Sequence, residues 1–140
     1  MSHEHGHVEL TAYLEQVLAD VAIRKGQLSL AADRLHRARS AHEKTGSLDG
    51  LAEALRSTGD LAAADGRWAD AITWLCHALD IWRRVESRIE IARTLARLER
   101  AHTAAGAHQA ARSWRRECQT ILADLALDDA CLYLPPFYLR

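Results

Sequence analysis

Gly26, Gly66 and Gly106 stand 40 residues apart in a chain of 140, and other columns fall into the same register. Five residues after each glycine come Ala31, Ala71 and Ala111; fourteen before each come Ala12, Ala52 and Ala92. Leu35 matches Leu75, Leu51 matches Ile91, Leu55 matches Leu95 and Trp74 matches Trp114, while Ala38, Ala78 and Cys118 share a column of small residues. A period of this length marks a repeat architecture. Each unit is one supersecondary piece that buries its apolar face only against its neighbours, and about three units are the minimum for stability.

Each unit reads as two helices. Apolar residues recur at three- and four-residue spacing, β-branched runs are few, and no proline precedes Pro135. The pattern predicts helices over roughly 8–25, 28–45, 48–65, 68–86, 88–105 and 108–126. Gly26, Gly46, Gly66 and Gly106 each follow a periodic segment, where a left-handed residue closes a helix. Ser47 is a candidate N-cap, and Ser87 with Glu90 has the spacing of a capping box. Short loops set neighbouring helices antiparallel. The matched alanines let helices approach closely, and Leu35, Leu55, Ile72, Leu75 and Ile81 fill the space beside them.

Composition removes several classes. The net charge is −1, with 26% charged and 49% hydrophobic residues. That is neither a disordered tail nor the basic excess of a nucleic-acid binder. No apolar run approaches the roughly 18 residues of a membrane span, and MSHEHGHVEL lacks the basic start and apolar stretch of a signal peptide. Three cysteines without a CxxC pair argue against a disulfide framework and for a reduced, cytoplasmic setting.

Gly66-x-Trp68-x-x-Ala71-x-x-x-Leu75-x-x-Ala78 resembles the second helix of a tetratricopeptide repeat (TPR). Leu55-x-x-Thr58-Gly59-x-x-Ala62 resembles the first, with Leu, Thr and Ala where Trp, Leu and Tyr are usual. The third unit keeps Leu95, Leu98, Ala111 and Cys118; the first keeps Leu18, Ala19, Ala22, Gly26, Ala31, Leu35 and Ala38. The resemblance covers roughly residues 12–125. The usual repeat is about 34 residues and closes on a proline; here the period is 40 and that proline is absent, which implies longer helices. The phrase GRWADAITWLCHALDIWRRVESRIEIARTLARL is similar to the C-terminal arrays of actinobacterial antibiotic-regulatory-type transcriptional regulators. The chain carries no GxxxxGK[ST] phosphate loop and leaves no room for a winged helix beside the repeats.

The resemblance implies an all-α, right-handed α-solenoid of three TPR-like helix pairs over 8–126, after a flexible His-rich lead at 1–7 and before an apolar extension at 127–140. It implies a docking module for a protein or peptide, without catalysis, cofactor or membrane and with no direct hold on nucleic acid. In TPR arrays the first helix of each unit lines a concave groove. Carried over, this gives Tyr13, Gln16, Asp20 and Ile23 from the first unit, Glu53, Arg56, Asp60 and Ala63 from the second, and Arg93, Ala96, Arg97 and Arg100 from the third. Arg93, Arg97 and Arg100 share one helical face, and arginine grips a carboxylate in a planar, bidentate way. An acidic group or C-terminal carboxylate on the partner is one expectation. Gln16, Asp20 and Ser57 depart from the clamp with which related domains hold chaperone tails. The competing expectation is that Arg93 and Arg97 pair with Glu90, Glu53 or Asp60 in exposed pairs of about 0.2–1 kcal/mol each.

Other residues carry less. His3, His5 and His7 alternate in the lead and offer at most weak metal contacts. Adjacent Cys76 and His77 diverge on a helix. Cys118 is expected buried and inert, and Cys131 is the more accessible thiol. Trp68, Trp74, Trp82 and Trp114 are expected in packing rather than in a ligand cage. The segment ACLYLPPFYLR leaves two readings open. Leu132, Leu134, Phe137 and Tyr138 fold back over the last two helices, or they leave the body and dock into a second copy, giving a homodimer, or into another protein. Two other functions stay open: a peptide- or small-molecule-sensing regulator module, and an accessory protein or enzyme of a biosynthetic pathway. The last needs an enclosed pocket with convergent polar groups.

Overall fold

One turn geometry closes every helix. The computed structural model describes residues 2–133, with side chains from residue 6 onward. Within them run α1 (Ser2–Arg24), α2 (Leu28–Thr45), α3 (Leu48–Ala64), α4 (Trp68–Arg84), α5 (Arg88–Ala104) and α6 (His108–Asp124), followed by a 3-10 turn, Asp129–Tyr133. No strand occurs among the described residues. After each helix a residue of positive φ lets the next amide reach back to a carbonyl inside the last turn. The bonds are Gln27 N to Ala22 O at 2.9 Å, Ser47 to His42 at 3.0 Å, Arg67 to Ala62 at 2.9 Å, Ser87 to Trp82 at 3.1 Å, Ala107 to His102 at 2.8 Å and Leu127 to Leu122 at 2.9 Å. These are Schellman closures, which satisfy carbonyls the helix leaves open. The four glycines do this as expected, but Glu86 (φ 58°) and Ala126 (φ 55°) take the same conformation at the two remaining closures.

Helix α1 starts at Ser2, so residues 2–7 of the lead expected at 1–7 have helical backbone. Apart from Gly6 the stretch contains no breaker, and the Thr11 hydroxyl donates to His7 O at 2.9 Å. Ser47 caps α3 as expected, accepting from Gly50 N at 3.3 Å. The capping box at Ser87 does not form: Ser87 makes no side-chain cap bond, because the Glu90 carboxylate is taken by Arg56 and Arg93.

Successive helices pack against each other, and α3 also touches α1 and α5, so these three share one layer. The main core joins α3 to α6 around Leu75, Trp82, Leu95 and Leu98, with Leu132 of the 3-10 turn sealed in. A smaller core lies between α1 and α2, where Ala19, Ala22, Ala31 and Leu35 meet Leu61. Trp82 is almost fully buried, and Trp68, Trp74 and Trp114 pack partly buried against the main core. Arg39 stacks 4.7 Å from the Trp74 ring centre, and Trp114 donates to His102 Nδ1 at 3.1 Å. Two glycines are needed for close approach. A Cβ at Gly59 would come within 2.7 Å of Leu75, and one at Gly50 would run into the His42 ring.

Candidate functional site

The concave face of α1, α3 and α5 holds a cavity of about 210 Å³, which Tyr133 lines as well. Eight of the twelve residues expected in the groove line it: Gln16, Asp20 and Ile23 from α1, Glu53, Arg56 and Asp60 from α3, and Arg93 and Arg97 from α5. The helical repeat explains the convergence. Equivalent inward positions on each first helix fall on one face, so side chains from successive units meet across the layer.

Tyr13 and Arg100 lie outside this cavity. Tyr13 packs edge-on against buried His42, with ring centres 5.0 Å apart, and burial pushes its hydroxyl above the usual range. Arg100 borders a shallower neighbouring depression with Trp68, Glu99 and Tyr133. Ala63 is half-buried and Ala96 buried. Leu134, Phe137 and Tyr138 lie outside the described residues. The side chains of His3 and His5 do too.

The arginines are largely engaged within the chain. Arg56, 6% exposed, pairs with Glu90 Oε2 at 2.8 Å. Arg93 donates to Glu90 Oε1 at 2.5 Å and to the Cys131 carbonyl at 3.0 Å. Arg97 pairs with Asp60 at 3.0 Å, donates to the Leu132 carbonyl at 3.3 Å, and holds its guanidinium 5.3 Å from the Tyr133 ring centre. The Tyr133 hydroxyl donates to Ala96 O at 3.4 Å. Pairing with Glu90 and Asp60, one of the two expectations from sequence, is therefore what the structure contains; the Arg56–Glu90–Arg93 set is sunk into the wall, whereas Asp60 of the Arg97 pair stays partly solvated. Sequence reasoning gave Glu90 both as a cap acid and as a partner of Arg93 or Arg97, but missed Arg56, from another unit, as the second arginine on it. Tyr133 and Arg24 were also missed.

The acids divide by what faces them. Burial acts against the Glu90 carboxylate, but Arg56 and Arg93 outweigh it and hold the group below its usual value. Glu53 accepts from Gln16 Nε2 at 3.4 Å; burial, against a weaker pull from Arg56, pushes it up to about 7. Asp20 is pushed up to about 6, again by burial, which a hydrogen bond from Ser57 offsets only in part. Neither Asp20 nor Glu53 forms an ion pair among the described residues. Burial accounts for such shifts where nearby cations, Arg56 for both and Arg24 for Asp20, compensate it only in part.

Among the described residues no group of three His, Cys, Asp or Glu side chains is placed to hold a metal ion. Burial raises the Cys118 thiol to about 11, in keeping with its place in the core. Cys131 Sγ donates to Asp128 O at 3.2 Å. No helix among the described residues is long and apolar enough to cross a membrane.

No protein-family model matches this sequence, and no curated protein does. Among solved structures, the TPR domain of Arabidopsis FLU is similar with a TM-score of 0.75 at 16% identity, over 86% of this chain and 99% of that one. The fold is a TPR-like α-solenoid. At that identity the likeness concerns the fold alone. In TPR terms α1, α3 and α5 are the first helices of their units and α2, α4 and α6 the second. The 40-residue period is met by helices of 17 residues or more in every unit.

Proposed function

We propose that this chain is a docking module that takes an extended peptide segment of a partner protein on the concave face of α1, α3 and α5. The observation that supports it is the convergence of Gln16, Asp20, Ile23, Glu53, Arg56, Asp60, Arg93 and Arg97 on one open cavity. The Arg56–Glu90–Arg93 and Arg97–Asp60 pairs fix the wall before a partner arrives, and a preorganised surface loses less freedom on binding. An acidic group on the partner would find Arg24 and Arg100 at the rim, where both are exposed and neither carries an ion pair among the described residues. The similarity of residues 66–98 to regulator arrays supports a regulatory setting for such docking.

A random peptide library selected on the intact protein tests the reading, with bound peptides located by hydrogen–deuterium exchange. Protection on α1, α3 and α5, with affinity lowered about tenfold in an Arg24→Glu, Arg100→Glu variant, is the expected result. Both positions are exposed, so the variant keeps its fold. Protection confined to α2, α4 and α6 would overturn the groove. Unchanged affinity in the variant would remove the acidic-group preference.

A further inference from the structure

We propose that the outer face of α1, with Leu10, Leu14, Val17, Leu18 and Val21, pairs with the same face of a second copy of this chain, the two helices antiparallel across a two-fold axis. The pairing goes beyond the docking reading and leaves the concave cavity open.

Four observations carry it. First, the repeat shows what the face is. Forty residues on, the same positions in α3 hold Gly50, Ala54, Ser57, Thr58 and Leu61, all buried. The unit before covers them. Gly50 lies against the His42 ring, the Thr58 hydroxyl accepts from Arg39 at 2.7 Å, and Leu61 completes the core of α1 and α2. In α5 the equivalents Thr94, Leu98 and Ala101 are buried as well. On α1 nothing among the described residues covers this face, and Leu10, Leu14 and Leu18 are exposed. The end unit of a solenoid needs a polar outer face; this one is aliphatic at all five positions. Second, the opposite end does not fit it. Ile72, Leu75 and Leu79 of α4 have Arg112, Arg115 and Gln119 as their equivalents in α6, all exposed. A head-to-tail stack would set these polar side chains against the leucines. The stripe matches itself better, and a patch that matches itself closes into a two-fold dimer.

Third, the spacing suits a helix pair. Leu10, Leu14, Val17 and Val21 follow one another at four, three and four residues, the seam of knobs-into-holes packing. In an antiparallel pair Leu14 meets Val17 of the second copy and Leu10 meets its Val21. Each helix N-terminus then lies toward the other's C-terminus, which the helix dipoles favour. Glu15, the acid beside the stripe, is held by Arg34 and Arg37 of α2, so the seam itself carries no charge. Fourth, the size suffices. From Leu10 to Val21 the seam runs about 17 Å along the helix. Leu30 of α2, one turn before Arg34, is exposed too. Together they form the apolar centre of a patch of about 600 Å² per copy, the lower end of specific interfaces.

Sedimentation velocity of the intact chain over a hundredfold range of concentration tests the pairing. The expected result is a monomer–dimer equilibrium with a dissociation constant of about 10–100 μM. Leu14→Glu weakens it at least about thirtyfold by placing an unpaired carboxylate in the seam of each copy, and Val17→Lys does the same. Mixed in equal parts, the two variants recover a dimer, because positions 14 and 17 face each other in the antiparallel pair. Leu14 is exposed, so Leu14→Glu keeps its fold, which circular dichroism at low concentration checks. Leu10→Glu mixed with Val21→Lys repeats the test at the outer pair. A monomer at every concentration, a dimer as strong in Leu14→Glu as in the unsubstituted chain, or no recovery in either mixture would overturn the proposal. Species that grow beyond the dimer would overturn it in favour of a head-to-tail stack.

Discussion

At the scale of single residues, the six helix closures separate what a sequence announces from what it conceals. Gly26, Gly46, Gly66 and Gly106 are legible because glycine takes a positive φ without a Cβ penalty. Glu86 and Ala126 are not. Nothing in a glutamate or an alanine signals the left-handed region, and only their place in the repeat makes the conformation necessary. An L-residue there costs about 1–2 kcal/mol, partly offset because glycine has more freedom to lose on folding. Glu86→Gly and Ala126→Gly should therefore each stabilise the protein by about 0.5–1 kcal/mol, read as a rise of roughly 2–5 °C in thermal midpoint. Gly66→Ala, at φ 72°, should lose about 1 kcal/mol by the same argument. The groove was legible in a similar, partial way. Its residues followed from which helix face turns inward, and so did Glu90 and Asp60 as partners of Arg93 and Arg97, but the pairing of Arg56 with Glu90 across two units did not. Glu90 read as a cap because the local rule for Ser87 was satisfied in sequence; Arg56, from another unit, outcompeted it in space.

At the scale of elements, α3 sits between two neighbours and carries acids and a base into a half-buried layer. The sequence makes each helix recognisable by its apolar spacing, while the ionisation of its inward face depends on burial that spacing does not report. Glu53 is displaced from 4.5 to about 7 in the fold, and Asp20 from 3.8 to about 6. In the unfolded chain both lose their protons near the ordinary values. The folded state thus binds protons that the unfolded state has released, and this contribution to stability is lost as pH rises through about 6 to 7. His42 on α2 acts in the opposite sense. Burial lowers its value, so the unfolded chain gains a proton first, near pH 6.5, and the fold weakens as pH falls. Glu53→Gln should accordingly stabilise by on the order of 1–3 kcal/mol at pH 8, with the gain shrinking toward pH 4.5. Urea midpoints of the two proteins at both values check this. A gain that grew toward acid pH would mean that Glu53 is ionised in compensated surroundings.

At the scale of the whole molecule, the two ends of the solenoid are finished differently. Beyond α5 and α6 the chain returns and buries Leu132. At the other end α1 exposes Leu10, Leu14 and Leu18, at 59%, 54% and 46%. Its packing with α2 rests on a small core of alanines with Leu35 and Leu61, whereas α4 and α5 share Leu75, Leu79, Trp82, Leu95 and Leu98. In a linear array each unit is held by its own packing and by its neighbours only, so stability falls where both are small. Buried apolar area then orders the openings. Native-state hydrogen exchange in low urea should show amides of α1 and α2 opening together at a lower free energy and with a shallower urea dependence than those of α4 and α5, which exchange only on global unfolding. Leu35→Ala, at a fully buried site of the smaller core, should cost about 2–4 kcal/mol and speed exchange in α1 and α2 while leaving α4 and α5 tied to the global transition. Leu132→Ala removes the cover from α5 and should instead narrow the difference between the two ends. If all six helices exchanged in step in the unsubstituted protein, the two cores would be acting as one. The coupling would then run through α3, whose Leu61 belongs to the small core and whose Leu55 belongs to the large one.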